Sequence, residues 1–267
     1  MKLGAYTACL HDKPVAEAIQ TLRELGLDSA EINSGGFLPP VHLPIEQLRA
    51  GKDAREEYLG LFASAGVTLT ALNCNGNPLD PNPEVGPRHA QDVRDAIELG
   101  ALLGVRRVVT MSGLPAAEPG GQLPSWTVEP WHSVFLDSRD YQWNEVAIPF
   151  WKDIQARAAD ADVKVCIEMH PHNLVYNPAT MERLATAIDA THVGAEMDPS
   201  HLFWQGIDPV LAVGRGHDVE WWAEFLRALG EVDPDMPVNI EHEDQELDQM
   251  EGLRFAATTL LEAEKAI

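Results

Sequence analysis

Residues 193–204 read VGAEMDPSHLFW, and residues 163–173 read VKVCIEMHPHN. In each, a run of apolar, β-favouring residues carries the chain to a carboxylate and then breaks into a turn. Glu196, Asp198 and His201 crowd the end of the first run; Glu168, His170 and His172 crowd the end of the second. The pattern returns as VNIEHED at 238–244, ending on Glu241, His242, Glu243 and Asp244. Near-continuous apolar strands that alternate with helices belong to parallel sheets covered on both faces. When such a sheet closes into a barrel, the C-terminal strand ends share one rim, where the connecting loops build a site.

The rest of the chain fits that frame. LGAYTACL (3–10) predicts a strand, and VAEAIQTLRELGL (15–27) a helix with apolar residues three and four apart. SAEIN (29–33) is a second strand, a helix covers 45–65, and VTLTALNC (67–74) is a third strand before the turn-rich NGNPLDPNPEVGP. A helix over 88–103 leads to the fourth strand, VRRVVTM (105–111). Strands five and six occupy 163–169 and 192–197, a further strand 236–241, and a closing helix 247–265. Repeated βα units without a linker predict a single (β/α)8 TIM-barrel domain over 1–267. An open doubly wound sheet is the alternative, but no GxGxxG follows the first strand.

The barrel is one strand short. After strand six, HLFWQGIDPVLAV (201–213) and GRGHDVEWWAEFLRAL (214–229) carry two helical stretches with only Gly214, Arg215 and Gly216 between them. Seven strands are counted, and the seventh of an eight-fold barrel, with its loop, is absent from this sequence. Conversely, the segment 112–143 after strand four is too long for a routine connection and is rich in Pro, Gly and Trp. It is expected to lie over the rim that carries the carboxylates.

Composition narrows the function. Hydrophobic residues make up 45% of the chain and charged residues 23%, ordinary values for a globular protein with a sizeable core. Lys and Arg number 19 against 42 Asp and Glu, a net charge of −23 that repels nucleic acid and anionic membranes. Cys9, Cys74 and Cys166 form no CxxC pair, which argues against a disulfide scaffold or a thiolate zinc site and for reduced, buried thiols. The N-terminal MKLGAYTACLHD lacks a secretory h-region, and no apolar run reaches the 18 residues of a membrane span, so a cytoplasmic location is expected.

Clustered carboxylates repel one another unless protons or a divalent cation compensate. Glu168, Asp198 and Glu241 stand most directly in line with their strands and are the expected metal ligands. A site rich in oxygen with one or two imidazoles suits Mn²⁺, Mg²⁺ or Co²⁺. Asp198 precedes Pro199 and also has the position of a helix N-cap. His170 and His172 alternate on an extended chain, so one of them faces the site and the other packs elsewhere. His201 follows Asp198 by three residues and reaches the same pocket from a helical turn. Trp126, Trp131, Trp143, Phe203 and Trp204 offer an apolar wall for a sugar ring, whereas Trp221 and Trp222 sit on an amphipathic helix, where at least one belongs to the core.

EINSGGF (31–37), IEMHPHNLVYNP (167–178), GAEMDPSHLFWQGIDP (194–209) and IEHED (240–244) together resemble the xylose isomerase-like TIM barrels, the sugar phosphate isomerases and epimerases, over nearly the whole chain. That resemblance implies a divalent metal, usually Mn²⁺, with Mg²⁺, Co²⁺ or Zn²⁺ as substitutes. The ligands would be Glu168 after strand five, Asp198 after strand six and Glu241 after the last strand. It also implies that Glu168 and Glu241 exchange the proton as catalytic residues, and that His201 contacts substrate oxygen; His170 and Trp204 are further expected substrate contacts. The family's strand-seven segment, which carries a fourth ligand and a long loop before GHD, has no counterpart: GHD stands at 216–218 without it. Water, His217 or another group would then complete the metal set. The implied activity is isomerisation or epimerisation of a keto sugar or polyol through an enediolate, without a phosphate pocket. A homo-oligomer is common among such barrels. A 3-keto-glycoside lyase or dehydratase on the same site and a non-catalytic sugar-binding barrel are the alternatives. A related metal-dependent endonuclease is disfavoured by the acidic charge.

Overall fold

Strands form where small and β-branched residues run together, and helices where apolar residues recur every third or fourth position. The computed structural model describes residues 1–129, 131–205, 217–242 and 246–267. Its strands are β1 (Lys2–Tyr6), β2 (Ser29–Asn33), β3 (Thr68–Asn73), β4 (Arg107–Met111), β5 (Lys164–Glu168), β6 (Val193–Glu196) and β7 (Pro237–Ile240). The α-helices are α1 (Val15–Glu24), α2 (Ile45–Ala50), α3 (Lys52–Ala65), α4 (Gly86–Leu103), α5 (Ser133–Asp140), α6 (Ile148–Ala161), α7 (Pro178–Ala187), α8 (Val219–Val232) and α9 (Gln249–Lys265).

The chain makes two compact units. The first comprises Met1–Asn33, Pro40–Ala71 and Phe203–Ile267. In it β1 pairs in parallel with β2 on one side, Ala5 against Ala30, and with β7 on the other, Ala5 against Ile240. Leu10, Ile19, Leu22, Ile32 and Leu48 are fully buried there. The second unit comprises Ser34–Pro39 and Leu72–Leu202. In it the end of β3 pairs with β4, β4 with β5, and β5 with β6, all parallel. Leu72, Trp151, Ile154 and Ile167 are fully buried in this unit, and the Trp151 indole donates to Ser112 O at 3.1 Å. The seven strands follow the order β6-β5-β4-β3-β2-β1-β7. Among the described residues β6 and β7 stand at the two ends of that order.

Several element ends differ from the sequence expectation for local reasons. The strand expected over 3–10 stops at Tyr6, because Thr7–Leu10 wind into a 3-10 helix that buries Thr7 and Leu10. The helix expected over 45–65 is broken at Gly51, which is extended at φ −156° and ψ 149°. Glycine has the largest backbone entropy to lose in a helix, so the break falls there. The helix expected over 214–229 starts at Val219, where the Asp218 side chain caps it by accepting from Trp221 N at 3.0 Å. Residues 206–216, including the expected Gly214–Gly216 junction, lie outside the described residues. Trp222 is 3% exposed and belongs to the core of its unit, while Trp221 stacks on His217 at 4.3 Å.

The long segment after β4 holds one isolated antiparallel bridge, Ala116 to Pro124, then α5 and a π-helix over Tyr141–Ala147. Gln142 in that π-helix is fully buried and donates to the carbonyls of Pro115, Ala116 and Ser125. The three cysteines form no disulfide with one another, but only Cys74 is buried; Cys9 and Cys166 are half-buried. Among the described residues no helix is long and apolar enough to cross a membrane.

Candidate functional site

β5 alternates its burial so that Val165 and Ile167 go inside, and its last residue, Glu168, is a carboxylate only 3% exposed. The chain then turns at once, with His170 N donating to Glu168 O at 3.0 Å. Two residues on, His172 adopts φ +59°, a left-handed conformation uncommon outside glycine. That reversal separates the two histidines. His170 lies edge-on to His201 with ring centroids 4.2 Å apart, while His172 packs on Trp126 at 5.1 Å.

At the end of β6, Asp198 serves two ends at once. Its Oδ1 accepts from Ser200 N at 2.8 Å, capping the 3-10 helix Pro199–Gln205. Its Oδ2 lies 3.2 Å from His201 Nε2. The same nitrogen lies 2.8 Å from Glu168 Oε1, so one imidazole edge faces two carboxylates. Donor atoms of Glu168, His170 and His201 all lie within 4.8 Å of one another, an arrangement that can hold a metal ion. Glu196, which precedes Asp198 by two residues, stands opposite Glu168 in the strand register.

Sequence reasoning overlooked Asn75. Its Nδ2 donates to Glu168 Oε2. Its Oδ1 is buried and has no hydrogen-bond partner among the described residues. Only its place just past a strand end, in NCNGN (73–77), hinted at a role.

The donor set fits a hard divalent cation. Among the described residues no Lys or Arg pairs with Glu168 or Asp198, and the cation-capable partner they share is His201. Two carboxylates and two imidazoles without thiolates match the preference of such ions, and the buried Asn75 amide oxygen, which has no hydrogen-bond partner among the described residues, is a further oxygen donor beside Glu168.

The other expected site residues are placed as follows. Glu241 follows β7 in the first unit and is exposed. Cys9, in that unit, has its thiol pushed up to about 11, chiefly by burial, with the charges of Glu241 and Asp12 adding to the effect. The side chains of Phe203 and Trp204, and all of Glu243 and Asp244, lie outside the described residues. Trp143, expected on an apolar wall, is instead a core residue 3% exposed, covered by the Arg183 guanidinium at 4.1 Å. Trp126 is held by a bond from its indole to Asn173 O at 2.9 Å, and Trp131 is 77% exposed.

Residues 19–215 match the family described as xylose isomerase-like TIM barrel. The chain belongs to that family. It is 33% identical to the uncharacterized protein YfiH of Bacillus subtilis (strain 168) over 310 aligned positions, covering 97% of this chain and 98% of that one. Since 97% of 267 residues is about 259, about 50 of those aligned positions meet no residue of this chain. Among solved structures the chain is similar to an L-ribulose 3-epimerase, with 16% identity, a TM-score of 0.66 and coverage of 99% and 96% of the two chains. It is also similar to the IOLI protein with a bound zinc atom, with 17% identity, a TM-score of 0.67 and coverage of 100% and 99%. At such identities the likeness establishes the fold.

Proposed function

We propose that this chain is a divalent-metal-dependent isomerase or epimerase of a keto sugar or related polyol. The observation that carries the reading is the buried Glu168 carboxylate meeting His201 Nε2 at 2.8 Å, with Asp198 on the same nitrogen at 3.2 Å. The epimerase and the zinc-bearing protein among the structural relatives support it.

In this reading Glu168 and Asp198 hold the ion, with Mn²⁺ the expected metal. Glu241 joins them on the strength of its position after the last strand and the family pattern. When bound, the ion stabilises negative charge that develops on adjacent substrate oxygens. Glu168 and Glu241 move the proton at the carbon next to the carbonyl, one as base and the other as acid, through an enediolate. His201 donates to a substrate oxygen while its contact with Asp198 fixes the ring. His170 and Trp204 border the sugar.

The test is solvent-deuterium exchange in the Mn²⁺-loaded protein, followed by proton NMR across a panel of ketohexoses. Loss of the proton signal beside the carbonyl is expected, and Glu241→Gln should slow it by about 100-fold or more. Undiminished exchange in that variant removes Glu241 from the mechanism. No exchange from any keto sugar in the wild type overturns the isomerase reading.

A further inference from the structure

The EINSGGF stretch carries no group of the reaction described above, yet its glycines are tightly placed. We propose that Asn75 is the positioning residue for Glu168, and that the turn at 34–37 serves to lock Asn75; this rests on Glu168 being a metal ligand as argued above.

Asn75 is fixed from three sides. Its N–H donates to Asn73 Oδ1 at 2.8 Å, its carbonyl accepts from Phe37 N at 2.7 Å, and its Nδ2 donates to Glu168 Oε2. The turn that supplies Phe37 is itself tied at each step. Ser34 donates to Asn73 O through its N–H at 2.6 Å and its hydroxyl at 3.0 Å. Gly36 N donates to Asp92 Oδ2 at 3.0 Å. The Phe37 ring meets His89 edge-on at 5.2 Å, and His89 Nδ1 accepts from Asn77 N at 3.0 Å.

Gly36 explains the motif. It has φ +80°, and a Cβ there would stand 2.1 Å from Asn75 O, deep inside contact distance. Only a residue without a side chain lets the turn lie against the Asn75 carbonyl. The consequence reaches Glu168: with Oε2 taken by the amide, Oε1 is the oxygen that faces His201. Partners that orient a ligand in this way commonly change metal affinity by about 10–100-fold when removed.

The experiment is a Mn²⁺ titration of the full chain, with free ion read by electron paramagnetic resonance and each variant's thermal melt recorded alongside. Asn75→Ala and Gly36→Ala are each expected to weaken Mn²⁺ binding by about 10–100-fold. The double variant should be no weaker than the worse single, because both act through one hydrogen bond. Gly120→Ala is the control: it strains a left-handed glycine at φ +78°, with nothing within 4 Å of the new Cβ, and should bind Mn²⁺ like the wild type. If Gly36→Ala fails to fold, Asn75→Ala carries the test alone, since its backbone bonds are untouched. Wild-type affinity in Asn75→Ala, or losses that add in the double variant, overturn the proposal while the metal reading stands. A wild type that takes up no Mn²⁺ overturns the metal reading, and this proposal with it.

Discussion

Glu168 has both carboxylate oxygens engaged, Oε2 by the Asn75 amide and Oε1 by His201, at 3% exposure. A buried carboxylate tolerates that position only while its donors remain. His201→Ala therefore strips Oε1 of its donor and should lower stability by about 1–3 kcal/mol, read as a fall in the urea midpoint. His201→Gln keeps an N–H donor and should recover part of that loss; equal losses in the two variants would show that the hydrogen bond to Glu168 contributes little. At this scale the sequence was partly readable. Glu168, His170, Asp198 and His201 announced themselves because each follows an apolar run at a strand end. Asn75 did not, because its partner Glu168 lies 93 residues away and an asparagine in a turn has many ordinary uses.

Elements were legible where periodicity was strong and misread where a single residue overrode it. The extended Gly51 divides what reads as one helix, and the insert's π-helix sends Trp143 into the core instead of towards a sugar. α3 supplies a pH-dependent prediction. The Tyr58 hydroxyl donates to His42 O at 3.1 Å, and burial raises its ionisation well above the ordinary phenol range. A raised acid stabilises the fold below its unfolded value and loses that contribution as the pH climbs. Stability should thus fall from about pH 10 upward. Tyr58→Phe should cost about 1 kcal/mol at neutral pH and flatten the alkaline fall in a series of thermal melts. A second prediction concerns the insert. Gln142 holds three carbonyls of 115–125 from a fully buried position. Gln142→Leu should expose that stretch to limited proteolysis at temperatures where the wild type resists, and an unchanged cleavage pattern would show that the insert is anchored by other contacts.

For the molecule as a whole, a net charge of −23 means self-repulsion across the surface. Raising salt from about 10 mM to 150 mM shortens the Debye length from about 30 Å to 8 Å, so the melting temperature should rise over that range. A fall would mean that attractive pairs, such as Arg94 with Asp153, outweigh the repulsion. The fold class was readable from the βα repeats, and the described residues hold seven parallel-sheet strands in the order β6-β5-β4-β3-β2-β1-β7. What pattern reading could not supply was the distribution of bonds among the strand ends, because those bonds join segments far apart in sequence. The central claim, that Glu168 belongs to a metal site, is tested most directly by native mass spectrometry of the chain after incubation with Mn²⁺. The account predicts one divalent ion on the 29.3 kDa wild-type chain and its loss in Glu168→Gln. A wild-type chain without an ion, or a Glu168→Gln chain that keeps it equally well, would contradict the account.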